Sequence, residues 1–433
     1  MVGNENVGNL TPRGVLESIA SELAPTVIII NGPRNQVIAG GQPFMDALAP
    51  LYHYLFRWVI APVSEQFLGL FDLNGRLCVA FLFTSYAVAY CLFRLRKSRG
   101  LTDATTFWQF LGGNRVHFHP SALLDCRYYF VRAILKVVLV VPVVGLVDPY
   151  VLRTGDYLRF FSHLWGARVQ VEAHLGLSLL YGLGVFVLQD FLHYWAHRAY
   201  HSRYLWAFHK VHHSASVMVP VTASRVHFLE KIIERLLDIV FLSAFAGLFW
   251  YACGGEISRY TLFGVTYIVF ILNALAANLR HSHVWLSFGS VAEHVINSPA
   301  QHQVHHSDSP RHFNRNFGIN LSLWDWMFGT LYVTQSTPEV IRFGTGEADG
   351  ERYLTLRSLI VTPFVDVAHK LYPGARHTPV DHRITAQEAS TVRATAHIAP
   401  RATAPAAALD AGPAKPANGR CPPDPWPCNP GSA

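Results

Sequence analysis

One stretch of this chain, Asp190 to His213, limits what it can fold into more than any other. It reads DFLHYWAHRAYHSRYLWAFHKVHH, with histidine at 193, 197, 201, 209, 212 and 213. It follows directly on an apolar run, HLGLSLLYGLGVFVLQDFL at 174–192, long enough to cross a bilayer. A second cluster, QHQVHH, carries His302, His305 and His306, and RHSH at 280–283 carries His281 and His283. The spacing points to helix faces. His197 and His201 stand four apart, so on a helix they project from one side, one turn above the other. His209, His212 and His213 stand at i, i+3 and i+4, and His302, His305 and His306 repeat that pattern. Neutral imidazole is a common ligand for iron, zinc and copper. Eight imidazoles exceed what one ion takes, so the pattern predicts two ions sharing eight or nine histidines. Of the chain's 23 histidines, 14 fall between 193 and 312, which no scatter of single core histidines explains.

Composition places this cluster in a membrane. The 433 residues are 51% hydrophobic and only 15% charged, with a mean hydropathy of +0.22. Soluble domains carry nearer 25% charge. The net charge of +7 fits loops facing anionic lipid. It does not suggest nucleic acid, because the basic residues flank apolar segments and form no patch. Cys78, Cys91, Cys126 and Cys253 lie in or beside apolar segments and read as buried thiols. Cys421 and Cys428 lie in a tail where nothing demands a pair.

Five apolar segments are candidate spans: 77–93, 127–147, 174–192, 236–252 and 260–279. The first ends in Arg94, Arg96, Lys97 and Arg99, which sets that end in the cytoplasm by the positive-inside rule. Alternation from there brings every histidine cluster to the cytoplasmic side. The segment 49–72 is interrupted by Arg57, Pro62 and Glu65 and reads as an interfacial helix. Arg132 and Lys136, four apart near the start of the second span, read as side chains that snorkel to the interface. The expected fold is an all-α integral membrane protein. It has about four to five transmembrane helices and a histidine-ligated dimetal site on the cytoplasmic side.

The motifs HRAYH (197–201), FHKVHH (208–213), RHSH (280–283), HQVHH (302–306) and NFG…WDWMFGTLY (316–332) resemble the fatty acid hydroxylase and sterol desaturase superfamily of membrane-embedded di-iron oxygenases. The resemblance covers roughly residues 175 to 333, with a weaker echo in HPSALLDCRYYF at 119–130. It implies eight ligands, His197, His201, His209, His212, His213, His302, His305 and His306, with His281 as a further one. His193, one turn before His197, and His227 in TASRVH are candidates to stand behind or beside them. His283 departs from the asparagine of many relatives and is an added polar contact or a surface residue. His294 and His312 read as surface residues. Asp190 and Asp325 are candidates to accept an imidazole N–H and fix a ligand's tautomer, and Asp325 could equally cap a helix.

The resemblance further implies two iron ions with O₂ as co-substrate and a lipid substrate such as a fatty acyl chain or sterol. The reaction is hydroxylation or desaturation of an unactivated C–H bond. No flavin, haem or iron–sulfur motif is present. The two electrons per O₂ therefore imply a separate donor of ferredoxin or cytochrome b5 type. Two other readings use the same histidines: a membrane zinc hydrolase, which lacks an HExxH pattern, and a metal-binding or transport protein, which would place charge in mid-span. The Ala, Arg and Gly content favours a bacterial inner membrane, with endoplasmic reticulum as the alternative. The expected division is an N-terminal segment at 1–72 and a membrane-embedded catalytic domain at 73–335. A C-terminal cytoplasmic segment at 336–375 and a disordered Ala/Pro-rich tail at 376–433 follow.

Overall fold

The computed structural model describes residues 55–372, apart from residues 74, 167, 169, 263, 264, 276 and 347–350. Most of the N-terminal segment and the whole expected tail, with Cys421 and Cys428, lie outside the described residues. What is described is mostly helical. Its strands form one hairpin of two-residue strands, β1 (Thr261–Leu262) and β2 (Val265–Thr266), paired antiparallel with Thr261 opposite Thr266.

The chain enters through a π-helical turn, Phe56–Ile60, into the short helix α1 (Ala61–Leu68). The next helix, α2 (Val79–Ser98), is a candidate membrane span. Its buried residues are Phe81, Ser85, Ala89 and Phe93, a single stripe at spacing four, while Phe83, Tyr86 and Tyr90 face outward. The second candidate span is a longer rod. Helix α3 (Pro120–Leu135) runs through a π-turn at Lys136–Val140 into α4 (Val141–Val147), and α5 (Thr154–Trp165) follows a break at 151–153. Both π-turns stand just before a proline, Pro62 or Pro142. A proline lacks the N–H for the regular ladder and its ring crowds the carbonyl one turn back. Widening that turn relieves the crowding without breaking the helix.

The third candidate span, α6 (Leu175–Tyr200), is 26 residues long and runs without interruption from the apolar stretch into the histidines. His193 and His197 therefore ride on the spanning helix, and His201 is its C-cap. A turn leads to α7 (Trp206–His213), which carries the second motif. Helix α8 (Phe228–Ala252) begins with His227 as N-cap, its ring accepting from the Leu229 N–H at 3.2 Å. It packs on α6 through Tyr181 against Phe249, and on α5 where Gly247 lets Tyr157 and Thr154 approach.

Three helices, not four or five, have the length and hydropathy to cross a membrane among the described residues. The expected fourth segment lies in α8, which starts eight residues earlier and carries Glu230, Lys231, Glu234, Arg235 and Asp238 in its first turns. The expected fifth, 260–279, is broken. It holds the hairpin, the eight-residue α9 (Tyr267–Ala274) and a 3₁₀ turn at Ala277–His281. Eight residues rise only about 12 Å, against about 30 Å of hydrocarbon. Among the described residues, then, neither of these two segments meets the length and hydropathy of a span. Past α9 come α10 (Pro299–His305), α11 (Leu323–Met327) and α12 (Leu356–Leu371), joined by irregular chain that wraps the histidines. The four cysteines in the described residues are free: Cys78 and Cys253 are buried, Cys91 and Cys126 exposed.

Candidate metal centre

Nine histidines converge. They fall into two groups, His197, His201, His209, His213 and His305, and His212, His281, His302 and His306. Within each group, one nitrogen from every ring lies within 4.8 Å of all the others. The groups adjoin, since His213 stacks on His306 with ring centres 4.5 Å apart, and His212 stands edge-on to His306 at the same distance. The helical spacing achieves this. On α7, His209 and His213 turn to one group while His212, a third of a turn away, faces the other. On α10, His302 faces the second group, and the consecutive His305 and His306 split between the two.

Four of the nine rings are held from behind. The Nδ1 atoms of His197, His212 and His305 face the backbone carbonyls of Phe317 (2.7 Å), Arg225 (3.1 Å) and Arg315 (2.8 Å), and so donate. His209 Nδ1 faces Glu230 Oε2 at 2.7 Å. These contacts fix the tautomer and leave Nε2 with its lone pair toward the group. His281 differs. Arg76 Nη2 donates to its Nδ1 at 2.7 Å, so the neutral ring carries its hydrogen on Nε2, 3.1 Å from His302 Nε2. It could serve as a ligand only by giving up that hydrogen.

Burial keeps the set neutral. It drives His201, His209, His213, His281, His302, His305 and His306 well below the ordinary imidazole range, and His212 down to about 3. Protons therefore do not compete for these lone pairs at neutral pH. The Nε2 atoms of His201, His213 and His305 are buried and have no hydrogen-bond partner. Buried orphan nitrogens are rare in folded proteins, and three converging lone pairs of this kind suit an ion as their partner. The donor set thus fits a pair of metal ions with imidazole-rich coordination.

Residues 182–330 match the family model described as Fatty acid hydroxylase. All nine histidines fall inside this match. This segment is similar to fatty acid hydroxylases. The chain is 27% identical to the ornithine lipid hydroxylase OlsE of Rhizobium tropici over 40% of its own length and 46% of that protein. It is 32% identical to alkylglycerol monooxygenase of Xenopus tropicalis over 42% of its length and 37% of the relative. It is 26% identical to the very-long-chain aldehyde decarbonylase GL1-7 of Oryza sativa subsp. japonica over 35% of its length and 25% of the relative. The chain thus spans less than half the length of these curated relatives. No solved structure matches it.

The polar residues around the nine histidines are placed differently from the expectation. Asp190 accepts from the Asn320 N–H and Nδ2, the Leu321 N–H and Trp324 Nε1, and so pins the 320–324 loop to α6 without touching an imidazole. Asp325 accepts from the Phe317 and Gly318 N–H groups and the Thr330 hydroxyl, and acts on His197 only through the Phe317 carbonyl. It is not a helix cap; Ser322 stands at that position of α11. His193 faces Asp238 at 3.4 Å, away from both groups. His227 caps α8 and reaches the Ile360 carbonyl, so it does not line the site. His283 is half-buried and accepts from the Met218 N–H, which makes it the added polar contact of the two readings. His312, expected at the surface, is buried beside Glu339.

Sequence reasoning missed Glu230, Arg76 and the two glutamines of QHQVHH. Gln301 accepts from the Ser298 N–H as half of a capping box, and Gln303 Nε2 donates to the Val284 carbonyl, tying α10 to the His281 segment. A buried acid three residues after His227, in HFLEK, was the one available signal for Glu230. Glu230→Gln is expected to weaken metal retention by about 10- to 100-fold, the usual effect of losing a carboxylate behind a ligating histidine. Chelator competition on the purified protein measures it, and unchanged retention would remove Glu230 from the site.

Proposed function

We propose that this chain is a di-iron, O₂-dependent membrane oxygenase that hydroxylates, or desaturates, an unactivated C–H bond of a lipid. His197, His201, His209, His213 and His305 would hold one iron. His212, His302 and His306, with His281, would hold the other. The observation that carries the reading is the pair of adjoining all-histidine groups with ligand nitrogens within 4.8 Å. Two irons supply the redox chemistry that attack on a saturated carbon needs and that no side chain offers.

The chain's own part is position and shielding. The carbonyls of Phe317, Arg225 and Arg315 and the Glu230 carboxylate hold the rings. Phe317, packed on His201 with ring centres 4.9 Å apart and touching His197 and His305, sets an apolar face against the five-histidine group. The substrate class is supported by relatives named for ornithine lipid hydroxylase and alkylglycerol monooxygenase activities, and by spans that continue from α6 into the bilayer. A cytoplasmic setting is supported by α2, whose basic end reaches the site's edge: Arg96 Nη2 donates to the Trp285 carbonyl, four residues from His281. The electrons would come from a separate ferredoxin or cytochrome b5-type donor, and a bacterial inner membrane remains the favoured host.

The test is metal analysis of the full chain purified in detergent from iron-replete cells, followed by lipid analysis of expressing cells with and without O₂. About two irons per chain and an O₂-dependent oxidised lipid are expected. Two zincs, no metal, or an unchanged lipid profile would overturn the reading.

A further inference from the structure

The motif HPSALLDCRYYF lies outside the matched domain, yet its aspartate reaches the site's supports. Asp125, on α3, is fully buried and paired with Arg225, which is 1% exposed. Arg225 uses its whole guanidinium fork. Nε donates to the Val211 carbonyl (3.0 Å). Nη1 donates to Asp125 Oδ1 (3.0 Å) and Ser121 Oγ (3.1 Å). Nη2 donates to Ser214 Oγ (2.9 Å) and the Tyr353 carbonyl (3.0 Å). The Thr222 hydroxyl holds the other Asp125 oxygen at 2.6 Å.

The backbone at Arg225 explains why such a clamp stands here. Its φ of −75° and ψ of 67°, with the Val226 N–H donating to the Ser224 carbonyl at 2.8 Å, form an inverse γ-turn. Neither helix nor sheet supports that turn. Its outward carbonyl is the one that accepts from His212 Nδ1 at 3.1 Å. The same guanidinium grips Val211 and Ser214, the residues that flank His212 and His213 on α7. Tyr128, one turn along α3 from Asp125, adds a hydroxyl to the Val226 carbonyl at 3.0 Å. A buried charge pair is a weak source of stability, because desolvation cancels most of the attraction. Its rigid fork is better suited to holding geometry.

We propose that the buried Asp125–Arg225 pair is the positioning device for His212, so that metal retention in the four-histidine group depends on a carboxylate on α3. This rests on the reading of the histidine groups as a dimetal site. Asp125 and Arg225 touch neither metal nor substrate and act only through the γ-turn carbonyl and the end of α7.

The experiment uses full-length protein in detergent, loaded with iron or, as a redox-silent probe, zinc. It follows metal per chain and the rate of loss to a chelator. In Asp125→Asn and Arg225→Lys, one of the two metals is expected to leave about 10- to 100-fold faster, the size of effect seen for supports behind ligands. The other is expected to leave at the wild-type rate. The double variant Asp125→Leu/Arg225→Met separates geometry from stability, since it leaves no unpaired buried charge. It is expected to regain thermal stability while one metal stays labile. Wild-type retention of both metals in the double variant would overturn the proposal and leave the pair as scaffold. If the single variants do not fold, Ser214→Ala, which removes one partner of the fork, decides by the same criterion. A wild-type protein that binds no metal sinks the dimetal reading instead, so the two failures are distinguishable.

Discussion

Alanine at His212 and His305 together is expected to empty the site of both metals and to abolish lipid oxidation in cells. Each substitution removes one imidazole from a different group. Losing a support behind a ligand already weakens metal binding by about 10- to 100-fold, so losing the ligand should exceed that in each group. Losing His212 also leaves the buried Arg225 carbonyl without its N–H donor, which costs about 1–3 kcal/mol. The variant should therefore melt somewhat below the metal-free wild type while staying helical. Metal analysis and circular dichroism on the same sample check both points. Two metals retained in a folded double variant would end the dimetal assignment.

Gly318→Ala is expected to be the most damaging methyl in the domain. An added Cβ would sit 2.3 Å from the Leu321 carbonyl oxygen and 2.7 Å from Asp325 Oδ2. Both neighbours are fixed. Leu321 is held by Asp190 through its N–H, and Asp325 by three hydrogen bonds. Overpacking of this kind costs about 1–3 kcal/mol and more where backbone must move, so a loss of about 3 kcal/mol is the expected size. The Phe317 carbonyl that holds His197 moves with the shift. Metal retention should therefore fall along with the melting temperature. Wild-type melting would show that the 316–325 loop yields easily and does not hold the site.

The contrast between Gly318 and Asp325 shows what local sequence carries and what it hides. The i, i+3, i+4 histidines were legible because helix geometry alone puts them on one face. The motif NFG…WD was legible as a pattern, but not the work of its parts. Asp325 binds N–H groups seven and eight residues back and supports a ring on a helix more than a hundred residues earlier. Glu230, Arg76 and Asp125 were hidden for the same reason, since Arg76 stands 205 residues from His281. Hydropathy misled at 260–279. A window average sums apolar side chains and is blind to the hairpin that breaks their backbone. It also gave His312 no sign of burial, because a histidine's depth is set by what folds over it.

Helix α6 is both anchor and arm. One unbroken helix carries the span at one end and His197 near the other, with no joint between them. A helix that meets a thicker or thinner bilayer answers by tilting. Here any tilt must swing the imidazole with it, because no loop lies between lipid and site to absorb the motion. Added or lost residues are amplified in the same way: one residue inserted within α6 turns everything beyond it by about 100°. The protein would therefore be sensitive to the physical state of its membrane, and chain-length change should be tolerated outside this rod and not within it.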